Sequence, residues 1–252
     1  MVHLRVVPDD RRERTRELKR QRILAAAGAV IDRDGLAGVT MQSVADQLDC
    51  AVGTLYTAFR SKAALLAALQ ADAVATLEAS YRAGRARWDE DLADADVEDG
   101  ARPLVELLAH AGFLAAAAVV YPDEIALVRE LLGEAPASAP PLDRALADEL
   151  LPVVHRVLDP VVARLGEAVD NRSLQPGDPV ARSLVWHASL LGVLRLERLA
   201  PVDRHLFRAA PLARTLAEGL LVGWGADGAE VEVAATWVER LSARGPLAPP
   251  PP

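Results

Sequence analysis

The sequence is poor in cysteine, in aromatic residues and in long apolar runs. Cys50 is the single cysteine among 252 residues, which excludes an internal disulfide and any zinc site built on paired cysteines. The five histidines show no H-E-x-x-H or similar spacing, so no metal site is expected. There is no G-x-S-x-G elbow, no phosphate loop and no carboxylate–histidine cluster, and neither an enzyme nor a cofactor is expected. Aromatic residues make up 4% of the chain and sustained period-two alternation is scarce, which argues against strands. The longest apolar run, residues 111–121, falls well short of the ~20 residues that cross a bilayer. The charged N-terminus has no apolar signal core. A cytoplasmic location with no membrane partner is therefore expected.

What is present is alanine and leucine at helical spacing, with 51% hydrophobic and 25% charged residues. The expected fold is all-α. Its net charge of −8 is unevenly spread: residues 1–62 carry 11 Lys and Arg against 8 Asp and Glu, and the remainder carries 17 against 28. Such asymmetry suits a small domain that faces an anionic partner and a larger one that does not. The basic excess concentrates in Arg11, Arg12, Arg14, Arg16, Lys19, Arg20 and Arg22.

The reading along the chain is a flexible basic arm (1–14), a small helical domain (15–61), a larger helical domain (62–243) and a disordered proline-rich tail (244–252). In the small domain a helix over 15–33 carries Ile23, Ala27, Val30 and Ile31 on one stripe and stops at Gly35. Thr40 caps a short helix over 41–48, a tight break follows at 49–51, and a third short helix runs through Phe59. Ser61 caps a long fourth helix over 62–88. Beyond an acidic break (89–100), helices are expected over 103–120, on to 132, over 142–169 with bends at Pro152 and Pro160, over 179–199 and 206–222 with caps at Asp178 and Asp203, and over 230–243. Residues 135–141 read as a turn or exposed connection.

Two short helices joined by a tight turn cannot fold alone. Val44, Ala45, Leu48, Leu55 and Phe59 must pack on the first helix, leaving the outer side of the third free to enter a DNA major groove. The run from Arg22 to Lys62 resembles the DNA-binding domain of the TetR family: Ile23-Leu24, Ala27, Val30-Ile31 and Gly35; then Val39-Thr40-Met41 with Val44-Ala45; then Gly53-Thr54-Leu55-Tyr56, Phe59, Ser61 and Lys62. The resemblance implies that Thr40, Tyr56 and Lys62 hold phosphates. Gln42 can reach the backbone or a base edge, and Thr54 and Thr57 are polar groups of the recognition helix. Asp49 stands where a turn glycine is common, Ala51 where a Ser or Thr cap is usual, and Val52 and Ala58 where lysine and histidine often stand. The reading surface is thus short of donors. Val52 is expected to touch a thymine methyl, and the arm with Arg11, Arg12 and Arg14 to reach phosphates or a minor groove. Cys50 reads as a small buried hydrophobe before it reads as a redox switch.

For the larger domain the resemblance implies an effector-binding and dimerisation unit. Polar-tipped residues in aliphatic helices nominate a pocket: His110, Phe113, Tyr121, His155, Trp186 and His187. Leu190, Leu191, Leu194, Ala213, Leu216, Ala217 and Leu220 are candidates for a dimer interface, with an intramolecular core as the competing reading. The expected protein is a transcriptional regulator of the repressor type. It would bind a pseudo-palindromic DNA operator as a homodimer and be released by a small, mostly apolar effector. The alternative is a ligand-independent regulator or protein-interaction module of the same fold.

Overall fold

The computed structural model describes residues 9–93, 101–132, 144–203 and 205–250, and side chains throughout these except at 9–11, 145 and 146. Every regular element among the described residues is helical, as alanine- and leucine-rich periodicity requires. The chain divides into two compact units, residues 1–72 with 140–150, and residues 73–139 with 151–252. This moves the expected boundary at residue 61. The first turns of the fourth helix and a short piece from the middle of the chain cluster with the N-terminal unit.

In the N-terminal unit α1 (Asp9–Asp34) packs on α2 (Met41–Gln47), which leads through a tight turn to α3 (Val52–Tyr56) and then to α4 (Lys62–Ala93). The expected stripe on α1 is the core: Ile23, Ala27, Val30 and Ile31 are buried, together with Val44, Leu55 and Phe59. Helix α1 begins six residues earlier than expected, so residues 9–14 are its first turns and not a flexible arm. Residues 1–8 and the side chain of Arg11 lie outside the described residues. Helix α3 stops at Tyr56, one turn short of the expected Phe59, and α4 runs on through Ala93, past the expected stop at Trp88.

In the second unit α5 (Arg102–Val120) is the central helix, packed on α9 (Ala209–Gly223) and α10 (Gly228–Arg244). Helix α6 (Pro122–Leu131) follows α5 directly, α7 spans Arg144–Asp170, and α8 (Pro179–Leu194) packs on α9. By length and hydropathy alone α4 and α5 are apolar enough to cross a membrane, but 72% of the most apolar window of α5 is buried inside this unit. That helix is a protein core. Helix α7 continues through Pro152 and Pro160. The carboxylate of Glu106 on α5 is 3% exposed and is held by three guanidinium groups: Arg102 at 3.1 Å, Arg164 of α7 at 2.9 Å and Arg85 of α4 at 3.2 Å. A buried charge is tolerable only when so paired, and this cluster ties three helices together.

The proline-rich end is ordered against the second unit, contrary to the disordered tail expected from composition. Leu247 and Ala248 are buried. The carbonyl of Pro249 accepts hydrogen bonds from Ser80 Oγ at 2.8 Å and Tyr121 Oη at 2.6 Å, and that of Pro246 accepts from Arg87. A segment that cannot form helix still leaves its carbonyls free, and here α4 and Tyr121, the residue between α5 and α6, supply the donors.

Candidate nucleic-acid interface and ligand pocket

The helix-turn-helix is built by local chemistry. Thr40 is the N-cap of α2: its Oγ1 accepts from the Ser43 amide at 2.9 Å while Ser43 Oγ accepts from the Thr40 amide at 2.9 Å, a reciprocal capping box. The turn is made at Asp49 with φ +50°, a left-handed geometry that usually calls for glycine. Helix α3 has Ala51 at its N-cap and so no side-chain cap. Arg33 of α1 donates to Gln47 of α2 at 2.9 Å, and Arg20 of α1 lies over the Phe59 ring, 4.6 Å from its centroid. Thr40, Gln42, Tyr56, Thr57 and Lys62 are exposed, with Tyr56 half outside the surface. Val52 and Thr54 are partly exposed on α3. Thr57 is less free than its exposure suggests: its hydroxyl donates to the Thr54 carbonyl and accepts from Lys19 Nζ, both at 2.7 Å. Gln42 donates to Asp46 at 2.6 Å.

Inside the second unit a small cavity of about 50 Å³ is lined from α4 by Val74, Leu77 and Tyr81, from α5 by His110 and Phe113, and from α8 by His187. Tyr81 packs edge-on against Trp88, His110 and Phe113, at centroid separations of 5.7, 5.3 and 5.1 Å. Its phenol is pushed up to about 12, mainly by burial. Burial likewise pushes His187 down to about 4 and His110 well below its ordinary range, the latter helped by its neighbour His187. Both imidazoles are neutral near pH 7. On the lining, Arg156 and Glu78 form a two-point ion pair at 2.9 and 2.5 Å. A larger cavity, about 450 Å³, lies among α5, α9, α10 and the C-terminal segment, and its walls are mostly alanine, valine and leucine.

The family model described as bacterial regulatory proteins, tetR family, matches residues 23–69. Over 48 residues the chain is 50% identical to the HTH-type transcriptional repressor KstR of Mycobacterium tuberculosis, a match covering 19% of this chain and 22% of that protein. Residues 23–69 thus form a TetR-type DNA-binding domain. The chain's overall fold is similar to that of RolR solved in complex with resorcinol, with a TM-score of 0.56 at 19% identity, covering 88% of this chain and 95% of RolR. A tetR-family regulatory protein from Rhodococcus RHA1 gives 0.54 at 18% identity, covering 83% and 98%.

The TetR-type domain thus presents the expected phosphate-contacting residues Thr40, Tyr56 and Lys62 at its surface, with exposed Arg12 and Arg14 on the first turns of α1. Of the six residues nominated for the pocket, His110, Phe113 and His187 line the small cavity. Trp186 is fully buried behind it and donates from Nε1 to His110 Nδ1 at 3.2 Å. Tyr121 is buried but bonds the C-terminal segment instead. His155 is exposed beside Asp159, one turn away on the outer face of α7, and does not line the cavity. Tyr81, Glu78 and Arg156 were missed; nothing in their local sequence separates them from ordinary surface residues of α4 and α7. The candidates for a dimer interface divide by burial, most of them following the competing reading of an intramolecular core. Leu190, Leu191, Leu194, Ala213 and Ala217 are buried within this chain, and only Leu216 and Leu220 keep partial exposure. The apolar residues that α8 and α9 leave at the surface are Val180, Leu184, Val185 and Val222.

Proposed function

We propose that this protein is a transcriptional regulator of the repressor type. It binds a pseudo-palindromic operator as a homodimer and leaves it when a small, mostly apolar molecule enters the cavity lined by His110 and His187. The observation that carries the reading is the intact TetR-type helix-turn-helix, with Thr40, Tyr56 and Lys62 each exposed on it. Phosphate contacts from such residues set register, and the few polar groups of α3, chiefly Thr54, with methyl contact from Val52, read the bases. Thr57 holds Lys19 and so supports the reading helix more than it reads.

The exposed apolar residues of α8 and α9 are the proposed dimer face, in place of the buried leucines. Ala181, Leu184, Val185, Ala188 and Gly192 recur at helical spacing on the outer side of α8, and Gly219 and Val222 are exposed on α9. Two-fold pairing is what half-sites about 34–36 Å apart demand of a helix-turn-helix. Helix α4 contributes residues to both units and is the element through which a ligand's preference for one conformation would alter operator affinity.

Footprinting on the DNA upstream of the protein's own gene, at several salt concentrations, tests this. A protected palindrome whose affinity falls steeply with salt is expected. Absence of any salt-sensitive protection would instead favour an interaction module built on the same fold.

A further inference from the structure

The two histidines of the small cavity have fixed and opposite tautomers. His187 Nδ1 lies 2.8 Å from the Ser183 carbonyl and 3.5 Å from Ser183 Oγ, whose own proton goes to the Leu158 carbonyl at 3.1 Å. Every neighbour of that nitrogen is therefore an acceptor, so Nδ1 carries the proton and Nε2 carries a lone pair. His187 is 1% exposed, and its Nε2 has no hydrogen-bond partner. His110 is the reverse. Its Nδ1 receives the indole N–H of Trp186, a group that can only donate, so the His110 proton sits on Nε2.

Both rings line the cavity, 5.2 Å apart between centroids and at 77° to each other. A hydroxyl gives one hydrogen bond and takes another, at about 2.8 Å each, which is the complement of one bare nitrogen and one N–H. Around them stand Tyr81, Phe113 and aliphatic side chains, and the charges of Glu78 and Arg156 cancel each other on the lining. No net charge remains to hold an ion.

We propose that this pair is a hydroxyl-recognition element: the site takes a neutral molecule whose hydroxyl donates to His187 Nε2 and accepts from His110 Nε2–H, its apolar body lying against Tyr81 and Phe113. The inference rests on the effector-pocket reading above and names the ligand class for it. An orphaned buried acceptor is unfavourable until a donor reaches it, which makes the site selective for molecules that bring one. At about 50 Å³ the cavity is smaller than the roughly 150 Å³ that holds benzene in an engineered core, so a ring-sized ligand widens it.

Calorimetric titration of the full chain with phenol, anisole and toluene decides the matter. Phenol should bind at least tenfold more tightly than either, since anisole cannot donate and toluene can do neither. His187→Phe should abolish that preference while toluene affinity stays within about threefold. Equal affinities for phenol and toluene in the wild type, no binding of any probe, or a preference that survives in His187→Phe would each overturn the proposal. Should His187→Phe fail to fold, histidine ring ¹⁵N spectra of the wild type replace it. Unprotonated resonances are expected at His187 Nε2 and His110 Nδ1, with phenol shifting the former, and the opposite tautomers would refute the assignment. A gel shift on the footprinted DNA separates the two readings. Phenol bound with the expected preference but without effect on DNA counts against ligand release and leaves the hydroxyl site standing.

Discussion

Asp49 holds φ at +50° in the turn between α2 and α3, a conformation that side chains with a Cβ adopt at a cost. Asp49→Gly is expected to stabilise the N-terminal unit by about 0.5–1 kcal/mol, read as a rise in thermal midpoint with DNA affinity unchanged. His187 carries a pH dependence whose sign follows from burial. Its folded-state value, lowered to about 4, lies below the unfolded 6.5, so the unfolded chain binds the proton first. Stability is full above pH 6.5 and declines as pH falls from there toward 4, by about 3 kcal/mol from this group, with His110 adding in the same direction. Urea midpoints between pH 7.5 and 4.5 measure it, and His187→Phe should flatten the slope. At this scale the capping residues were legible: Thr40, Ser61 and Asp178 each accept from an amide two or three residues away. The link from Lys19 to Thr57 was not, because 38 residues separate partners that only α1–α3 packing brings together.

Helix ends show the same division. The start of α8 was readable from Asp178 and Pro179, but Asp203 closes a turn on the amides of His205 and Leu206 and does not cap α9. The first amide of α9, Ala209, is instead satisfied by Glu197 at 2.7 Å, twelve residues upstream. The C-terminal segment is the largest departure. Composition predicts disorder for a run of prolines, yet Leu247 and Ala248 are buried and Pro249 accepts two side-chain hydroxyls. Deleting residues 245–252 should therefore destabilise the second unit by roughly 2–4 kcal/mol, and Leu247→Ala by about 2–3 kcal/mol, in urea unfolding. A deletion that leaves the midpoint unchanged would show the segment to be unattached in solution.

At the scale of the molecule, the proposed dimer face separates two kinds of leucine on α8. Leu184→Arg changes a residue 46% exposed and should give a monomer in sedimentation velocity, with its unfolding no longer dependent on protein concentration. Leu190→Ala removes a fully buried side chain, should lower stability by about 2–4 kcal/mol, and should leave the association constant near its wild-type value. By itself the sequence determined the all-helical class, the helix-turn-helix with its caps and strained turn, and three of the residues that line the cavity. These depend on periodicity and on hydrogen bonds spanning a few residues, so they are written locally. Packing settles which side of α8 is core, which nitrogen of His110 carries the proton, and where the proline-rich end lies. Each of those depends on groups tens of residues apart: Trp186 on His110, Arg156 on Glu78, and Ser80 and Tyr121 on Pro249. A leucine-rich helix offers apolar area on more than one face, and packing alone selects the one that is buried.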